Sequence, residues 1–259
     1  MSFPNVIYGQ YGDEKAAQST AIGGLPLGQK MILPDGREFA HAMAATAAAL
    51  APGLAVVGKA RAGTIVNLVA GADAAVDATT VVLTMPATTV CTIADQYAGG
   101  FLSVDDAEGK GYAYKIKSSN TAAAASTATF TLEPYDKIKV ALVSGSSECI
   151  IKESPYYSVL TRAAGTASVG PPAGVAPTAA SAGYYCWLQR KGNATLLSAG
   201  TIAVTGRKFA CATVTAGGFA AHNPIPADTT LAPVAEDWGT VIEAAAASTE
   251  YFMGLLELP

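Results

Sequence analysis

The chain contains few side chains suited to chemistry. Its 259 residues include two histidines, His41 and His222, and the nearest cysteine, Cys211, lies eleven residues before His222. A histidine beside a thiol can activate it as a nucleophile. The residues that mark known pairs of this kind are missing, so we predict no thiol catalysis. We interpret His41 as a surface or interface histidine and His222 as a loop histidine.

Three acids close together are a candidate cation site. Asp105, Asp106 and Glu108 fall in one short segment. A calcium loop alternates oxygen ligands and ends in a bidentate glutamate, but here Ala107 takes the third position and Lys110 follows. The pattern favours a solvated hairpin turn. A carboxylate pair for glycoside hydrolysis remains open, because the chain has 20 Asp and Glu residues.

An aromatic cluster is the last candidate site. Tyr184, Tyr185 and Trp187 could stack on a sugar or a base, although at strand spacing such residues more often belong to a core or an interface. No phosphate-binding glycine loop, serine elbow or zinc-protease motif occurs. We therefore assign no catalytic, cofactor-binding or metal residue and predict that the chain is not an enzyme.

The four cysteines show neither a metal-ligand spacing nor a disulfide framework. Cys91, Cys149, Cys186 and Cys211 are far apart, with no Cys-x-x-Cys pair. We expect small buried hydrophobic residues in a reducing cytosol, since free cysteine is among the most buried residue types.

The composition points to a surface that is covered by other proteins. Charged residues make up 14% of the chain, against about 25% in ordinary soluble proteins. The net charge of −4 offers no basic surface for nucleic acid and gains nothing from an anionic membrane. No apolar run is long enough for a membrane helix. A surface this poor in charge predicts assembly with its own copies or with a larger lattice.

Turn and strand signals predict a mainly β chain. Pro34, Asp35 and Gly36 separate two short runs, 29–33 and 37–44, which predicts a β-hairpin. The alanine-rich stretch 44–50 is expected to be a short helix. Further strands are predicted at 54–59, 63–70, 79–84, 101–104, 112–117, 127–132, 137–143, 149–152, 156–161, 184–189, 196–197, 201–204, 209–214, 238–242 and 250–258.

These elements predict two antiparallel β-sandwich or barrel-like domains with an extended N-terminal arm. The arm covers 1–52 and includes the hairpin; it holds too few bulky residues to be core, so we expect its removal to leave the rest folded. A β domain follows at 53–162. The uncharged stretch 163–182, rich in Pro, Gly and Ala, is predicted to be a linker or a surface strap. A C-terminal β domain covers 183–259.

Several of these segments resemble virion structural proteins of tailed bacteriophages. The likeness is carried by Leu25-Pro26-Leu27-Gly28-Gln29, by Leu33-Pro34-Asp35-Gly36-Arg37-Glu38-Phe39, and by the segments 97–102, 109–112, 184–189 and 250–252. It carries no catalytic motif. The resemblance implies a capsid decoration, or cement, protein on the capsid surface of the virion, assembled in the bacterial cytoplasm. Its implied partners are the major capsid protein and its own copies as a homotrimer.

Other functions are open at this stage. A tail or head-fibre component that binds a host receptor fits the β architecture, although no repeat or heptad stem is visible. The major capsid protein itself is disfavoured, because no long amphipathic spine helix is present. A β-fold hydrolase is the alternative from another class, and it would require an acid pair essential for activity.

Overall fold

The structure is a computed structural model that describes residues 5–60, 65–87, 91, 93–164, 170–200, 205–212, 215–221, 237–244 and 249–258. These residues are mainly β, with short 3₁₀ turns at Asp13–Lys15 and Ile22–Gly24. The chain divides into two compact units by contact. Unit 1 combines Met1–Ala60 with Pro155–Pro259, and unit 2 is Arg61–Ser154.

Unit 2 is an antiparallel barrel. Its sheet has the order β6-β11-β8-β9-β10-β7. The first and last strands meet through a bridge between Ala70 and Leu83 and a 2.9 Å hydrogen bond from Gly71 N to Val82 O, so the sheet nearly closes on itself. The strands are β6 Leu68–Val69, β7 Thr80–Thr84, β8 Phe101–Asp106, β9 Ala113–Ser119, β10 Thr127–Leu132 and β11 Glu148–Lys152.

Alternation along the strands explains the barrel core. In β10 the side chains of Ala128, Phe130 and Leu132 are buried, and the threonines between them lie on the outer face. The Phe130 ring packs edge-on against Tyr97 with 5.6 Å between centroids. A period of two is what a strand with one buried face requires, and the predicted strand 127–132 is confirmed with the same bounds.

Unit 1 is built around one large sheet. Its main path is β1-β3-β4-β14-β18-β17-β15-β16, with β2, β5, β12 and β13 attached to the side. Apart from the parallel pair β1–β3, the paired strands are antiparallel. The strands are β1 Val6–Tyr8, β2 Ala17–Gln18, β3 Lys30–Ile32, β4 Glu38–Met43, β5 Ala55–Val57, β12 Leu160–Thr161, β13 Pro172–Val175, β14 Tyr185–Leu197, β15 Lys208–Cys211, β16 Phe219–Ala221, β17 Asp237–Glu243 and β18 Tyr251–Glu257.

The predicted N-terminal hairpin is confirmed as β3 and β4. Gly36 has φ +82°, a left-handed conformation that glycine adopts without a steric penalty. Its amide donates to Leu33 O at 2.9 Å, and Asp35 Oδ1 accepts from Arg37 N at 3.1 Å. Local sequence chemistry is therefore enough to form this turn.

The predicted arm is part of the unit 1 sheet from β3 onward. Strand β4 pairs with β14 over six positions, from Tyr185↔Met43 to Lys191↔Glu38. Five of its six residues are buried, and Phe39 packs with Met31 and Trp187. An extended arm does not describe these residues, because their hydrophobic side chains belong to the core.

Part of the predicted strap is likewise an internal strand. β13 pairs with both β5 and β14, and its Ala173 and Val175 are almost fully buried. Gly174 has φ +146°, and a Cβ placed there would lie 2.7 Å from Gln189 O. The small residues in this stretch allow close packing between strands. The prediction of a linker or surface strap is therefore wrong for β13. Residues 165–169 of the strap lie outside the described part.

Other boundaries also differ from the predictions. No helix forms at 44–50, where the described residues make turns and a bridge between Leu50 and Ala180. The stretch 137–143 is not a strand, although Ile138 and Leu142 are buried in unit 2. Residues 53–60 and 155–162 lie in unit 1, because β5 pairs with β12 and β13. The predicted strand 201–204 lies outside the described residues.

Aromatic rings fill the second half of unit 1. Phe209, Phe219 and Phe252 meet edge to face, with centroid separations of 5.4 to 6.4 Å, and Trp238 lies 5.4 Å from Phe219. Ala199 N donates to Phe219 O at 2.8 Å, which connects the end of β14 to β16. None of the helical segments in the described residues is long and apolar enough to cross a membrane.

Candidate functional site

His41 is buried in unit 1 and is not a surface residue. Its side chain has no exposed area, because it lies between β14 and the loop that precedes β3. The ring stacks on Tyr185 at 5.5 Å and tilts against Trp187 at 5.3 Å. Nδ1 lies 3.1 Å from Pro26 O, and Nε2 has no partner among the described residues. The prediction of a surface or interface histidine is therefore corrected.

Burial also determines the charge state of His41. Desolvation lowers the pKa of the imidazole from 6.5, and the hydrogen bonds to the backbone at Pro26 and Leu25 oppose this only in part. A neutral ring with Nδ1–H donating to Pro26 O fits the geometry. The residue is suited to holding the loop onto the sheet, because its ring joins the Pro26 carbonyl to the aromatic side chains of β14.

The acidic cluster spans the end of β8 and the turn that follows it, so the predicted solvated turn is only partly correct: Asp105 and Asp106 end the strand, and Glu108 lies in the turn. Asp106 Oδ1 accepts from Ala107 N at 2.8 Å, and Glu108 O accepts from the Ser147 hydroxyl at 3.2 Å. Asp105 Oδ1 is buried and has no hydrogen-bond partner in the described structure. Within that same part of the chain, no group of three or more His, Cys, Asp or Glu side chains could hold a metal ion.

All four cysteines are buried, as predicted. Desolvation raises the pKa of the Cys149 and Cys186 thiols to about 12, and it also raises the pKa of Cys91. The thiolate is the nucleophilic form, so burial favours the protonated, less nucleophilic form of these three thiols. The pairing of Cys211 with His222 cannot be followed in the structure, because His222 lies outside the described residues.

The predicted aromatic cluster belongs mainly to the core. Trp187 is 3% exposed and packs with Met31, Leu33 and Phe39. Tyr184 and Tyr185 are half-buried. Tyr185 stacks on His41, and Tyr184 packs against a cluster of buried residues, so the packing supports the core interpretation.

An apolar outer face on β18 is a feature that the sequence reasoning missed. Tyr251, Met253 and Leu255 are 51%, 44% and 36% exposed, and they alternate with the buried Phe252, Gly254 and Leu256. The strand lies between β14 and β17, so these side chains stand in the middle of a sheet. We call Tyr251, Met253, Leu255 and the neighbouring Ile242 the β18 face.

The β18 face departs from the usual pattern of a solvated sheet. An antiparallel strand with one face in water normally alternates apolar with polar residues. Here both faces are apolar, and the signal was present in the uninterrupted apolar run at 251–256. Clustered apolar residues on a surface mark a contact site for another macromolecule.

The first strand provides a second exposed feature. β1 pairs only with β3 among the described strands, which leaves its other edge open. Tyr8 is 83% exposed and Tyr11 is 64% exposed. An open edge can accept a strand from another chain, and the two rings add apolar area beside it.

Comparison with known proteins identifies no relative. No family model, no curated protein and no solved structure matches the chain.

Proposed function

We propose that the protein is a capsid decoration protein that binds the outer surface of a phage head and stabilises the shell. The observation that supports an assembly role is the β18 face, and the phage head enters the proposal through the resemblance of the segments described above to virion structural proteins. Its apolar side chains lie outside on a central strand, where a solvated protein would place polar ones. A decoration protein buries such a face against the shell or against its own copies. Exposure of its apolar groups to water would otherwise cost about 25 cal/mol for each Å² left uncovered.

The described residues support a binding role more than a catalytic one. The thiols at Cys149 and Cys186 are protonated at neutral pH, and the acids at 105–108 end β8 and begin the turn after it. With a charged fraction of only 14%, contacts to partners would rely on apolar area and main-chain pairing, which salt screens little.

The arm in this proposal is shorter than the sequence indicated. Residues from β3 onward belong to the sheet, so we assign the arm role to the segment that contains β1, with Tyr8 and Tyr11. A cyclic homotrimer joins two different patches head to tail. The β18 face and the open edge of β1 are two such patches, and we propose that they meet between copies, with the major capsid protein as the further partner.

The first test measures copy number in particles. Quantitative mass spectrometry of purified virions would compare this protein with the most abundant shell protein. A ratio near one, or a simple fraction such as one third, is expected for a decoration protein. A ratio of a few per cent would favour the alternative, a tail or head-fibre component, and absence from particles would contradict both.

The second test addresses the β18 face directly. Leu255→Asp adds a charge at the centre of the face and is expected to abolish self-association, as measured by sedimentation velocity. The matched control is Val76→Asp in unit 2, where the replaced side chain is 54% exposed. Loss of association in both variants, or in neither, would contradict the role of the β18 face.

A further inference from the structure

Unit 1 contains a surface cleft beside the bulged middle of β14. Its volume is about 210 Å³. The cleft lies where the 3₁₀ turn at 13–15, the β3–β4 turn and strands β14 and β18 come together. We call it the β14 cleft; its lining includes Glu14, Arg37, Gln189, Asn193, Thr195 and Tyr251.

A buried acid and an arginine provide fixed polar groups in the cleft. Glu14 is 4% exposed, its Oε2 accepts from Gly12 N at 2.6 Å, and its Oε1 lies 3.7 Å from Arg37 Nη2. Arg37 Nε in turn donates to Asp35 Oδ2 at 2.7 Å. Both side chains are held in place before any ligand arrives, which lowers the entropic cost of binding.

Gln189 adds a buried acceptor. The residue is 3% exposed, and its Nε2 donates to Lys191 O at 3.2 Å and to Asn193 O at 2.8 Å. Because only the amide nitrogen can donate to two carbonyls, the orientation of the side-chain amide is determined. The Oε1 atom remains as an acceptor in a residue that lines the cleft.

Tyr251 contributes an apolar wall with a fixed orientation. A Cβ at Gly53 would lie 2.6 Å from Tyr251 Cε1, so the ring packs directly on this glycine. The Tyr251 hydroxyl donates to Pro52 O at 3.4 Å. The side chain nevertheless remains 51% exposed, which leaves ring surface open to a ligand.

The charges around the cleft favour a neutral ligand. The lining carries the charges of Glu14, Lys15 and Arg37, and Asp35, which pairs with Arg37 from outside the lining, brings the sum to zero. An anion would gain little from such a site. A ligand that both donates and accepts hydrogen bonds can use the arginine, the glutamate and the amides together.

The size of the cleft limits the ligand further. A volume of 210 Å³ corresponds to about seven water molecules at ~30 Å³ each. Drug-sized pockets measure about 300–1,000 Å³. One small ring with several hydroxyl groups and an apolar face matches both the volume and the mixed lining.

We propose that the β14 cleft binds one neutral sugar ring, either a free monosaccharide or the terminal unit of a polysaccharide. The apolar face of the sugar packs on the Tyr251 ring. Its hydroxyls donate to Glu14 and Gln189 and accept from Arg37. Tyr251 also belongs to the β18 face, so the cleft can bind a sugar only in a copy whose Tyr251 ring is not covered by a partner.

The test is a titration of the intact, ¹⁵N-labelled protein followed by NMR. The probes are D-glucose, D-galactose, L-rhamnose and N-acetyl-D-glucosamine, each added alone, then soluble dextran and galactan, with inorganic phosphate as the charged comparison. We expect saturable shifts at the amides of Asn193, Thr195 and Tyr251 with at least one neutral probe. If a polysaccharide gives saturable shifts and no monosaccharide does, the ligand is the terminal unit of a polysaccharide and not a free sugar.

Variants connect the binding to the cleft. Tyr251→Ala is expected to weaken binding about tenfold or more, equal to about 1.4 kcal/mol, whereas Tyr251→Phe keeps the ring and changes binding less than about twofold. Asn193 lines the cleft at an exposed position, so Asn193→Ala changes the cleft without removing a buried side chain. Tyr135→Ala, in a residue that is 98% exposed in unit 2, is the control.

Three results would overturn the proposal. One is no saturable shift with any neutral probe, and another is saturation by phosphate alone. The third is binding that both Tyr251→Ala and Asn193→Ala leave unchanged. All titrations use the free protein at concentrations where sedimentation velocity shows a monomer, which keeps Tyr251 uncovered. A failure of capsid decoration would therefore not alter their outcome.

Discussion

The two units reach a β structure by different routes. Unit 2 takes its strands from one continuous segment, Arg61–Ser154, and nearly closes them into a barrel. Unit 1 joins Met1–Ala60 to Pro155–Pro259, and its longest strand, β14, pairs with β4 across a long sequence gap. A barrel that closes on itself has almost no open edges, whereas the mixed sheet of unit 1 leaves the β1 edge open.

The hydrophobic cores of the two units also differ. Among the described residues, unit 2 has one continuous cluster of buried residues, with large side chains such as Phe130, Tyr97 and Ile116. Unit 1 has three clusters there, one of which is dominated by alanine. Alanine contributes little burial but permits close strand approach, so unit 1 depends more on all of its segments being present.

Removing residues 1–50 is expected to have the largest effect. The deletion takes away β3 and β4 and uncovers Trp187 and Leu188, so unit 1 should unfold while unit 2 stays folded. This is the reverse of the sequence-based expectation for the arm. Limited proteolysis with mass spectrometry should recover a protected fragment within 61–154.

A shorter deletion is the matched control. Removing residues 1–8 eliminates only the edge strand β1, which pairs with β3 alone among the described strands. Protection of unit 1 should persist. If the 1–50 deletion also left unit 1 protected, the dependence of unit 1 on its N-terminal segment would be refuted.

Trp187→Ala is expected to destabilise unit 1 by about 3–5 kcal/mol, the usual cost of truncating a large buried aromatic. Trp187 is 3% exposed. Urea unfolding followed by circular dichroism measures the loss. Phe130→Ala should cost about as much in unit 2, and Tyr135→Ala, at a 98% exposed residue, should stay within about 0.5 kcal/mol. A loss below about 1 kcal/mol for Trp187→Ala would contradict the packing described for it.

Gly174→Ala tests the close approach of β13 to β14. The new methyl would lie 2.7 Å from Gln189 O, on a backbone with φ +146°. Strain and overpacking should together cost about 1–3 kcal/mol, seen as a lower melting temperature. Gly200→Ala is the control, because a methyl group at that position would have no atom within 4 Å. Equal melting temperatures for the two variants would mean that the strap tolerates side chains.

His41 should make the stability of unit 1 fall at acid pH, with a smaller effect than the substitutions above. Its pKa is lowered from 6.5 in the folded state, so below about pH 6.5 the unfolded chain binds a proton that the folded chain does not. Stability is therefore full above that pH and falls as the pH drops, by at most about 1.4 kcal/mol per pH unit. Melting temperatures of unit 1 measured between pH 7 and pH 5 report this loss of stability.

His41→Phe keeps an aromatic ring between Tyr185 and Trp187 but removes the titration. We expect this variant to lose the pH-dependent part of unit 1 stability. Unit 2 contains no histidine and supplies an internal control. An unchanged pH profile in the variant would show that other groups cause the acid sensitivity.

Sequence patterns predicted most strands of unit 2 but misjudged much of unit 1. The strand 127–132 needed only its alternation of threonine with apolar residues. The stretch 137–143 alternates as well, yet its residues Ile138 and Leu142 enter the core from a loop. Periodicity reports which side chains are buried, and it does not distinguish a paired strand from a loop with two anchored residues.

The candidate site residues also show that local sequence patterns do not report contacts between distant segments. Glu108 was correctly placed in a turn, because glycine-rich spacing is a local signal, whereas Asp105 and Asp106 belong to the end of β8. The burial of His41 had no such signal, since it depends on Tyr185 and Trp187, which are distant in sequence. The lining of the β14 cleft also comes from distant segments, so no sequence motif marks it.

The sequence by itself determined the β class, the hairpin at Pro34-Asp35-Gly36 and the lack of known catalytic motifs. Those features depend on backbone preferences and side-chain alternation within a few residues. Only the tertiary structure decided that β4 and β13 pair with β14, that His41 is enclosed, and that the β18 face lies outside. Long-range pairing follows from the free energy of the whole core, which no short window of sequence contains.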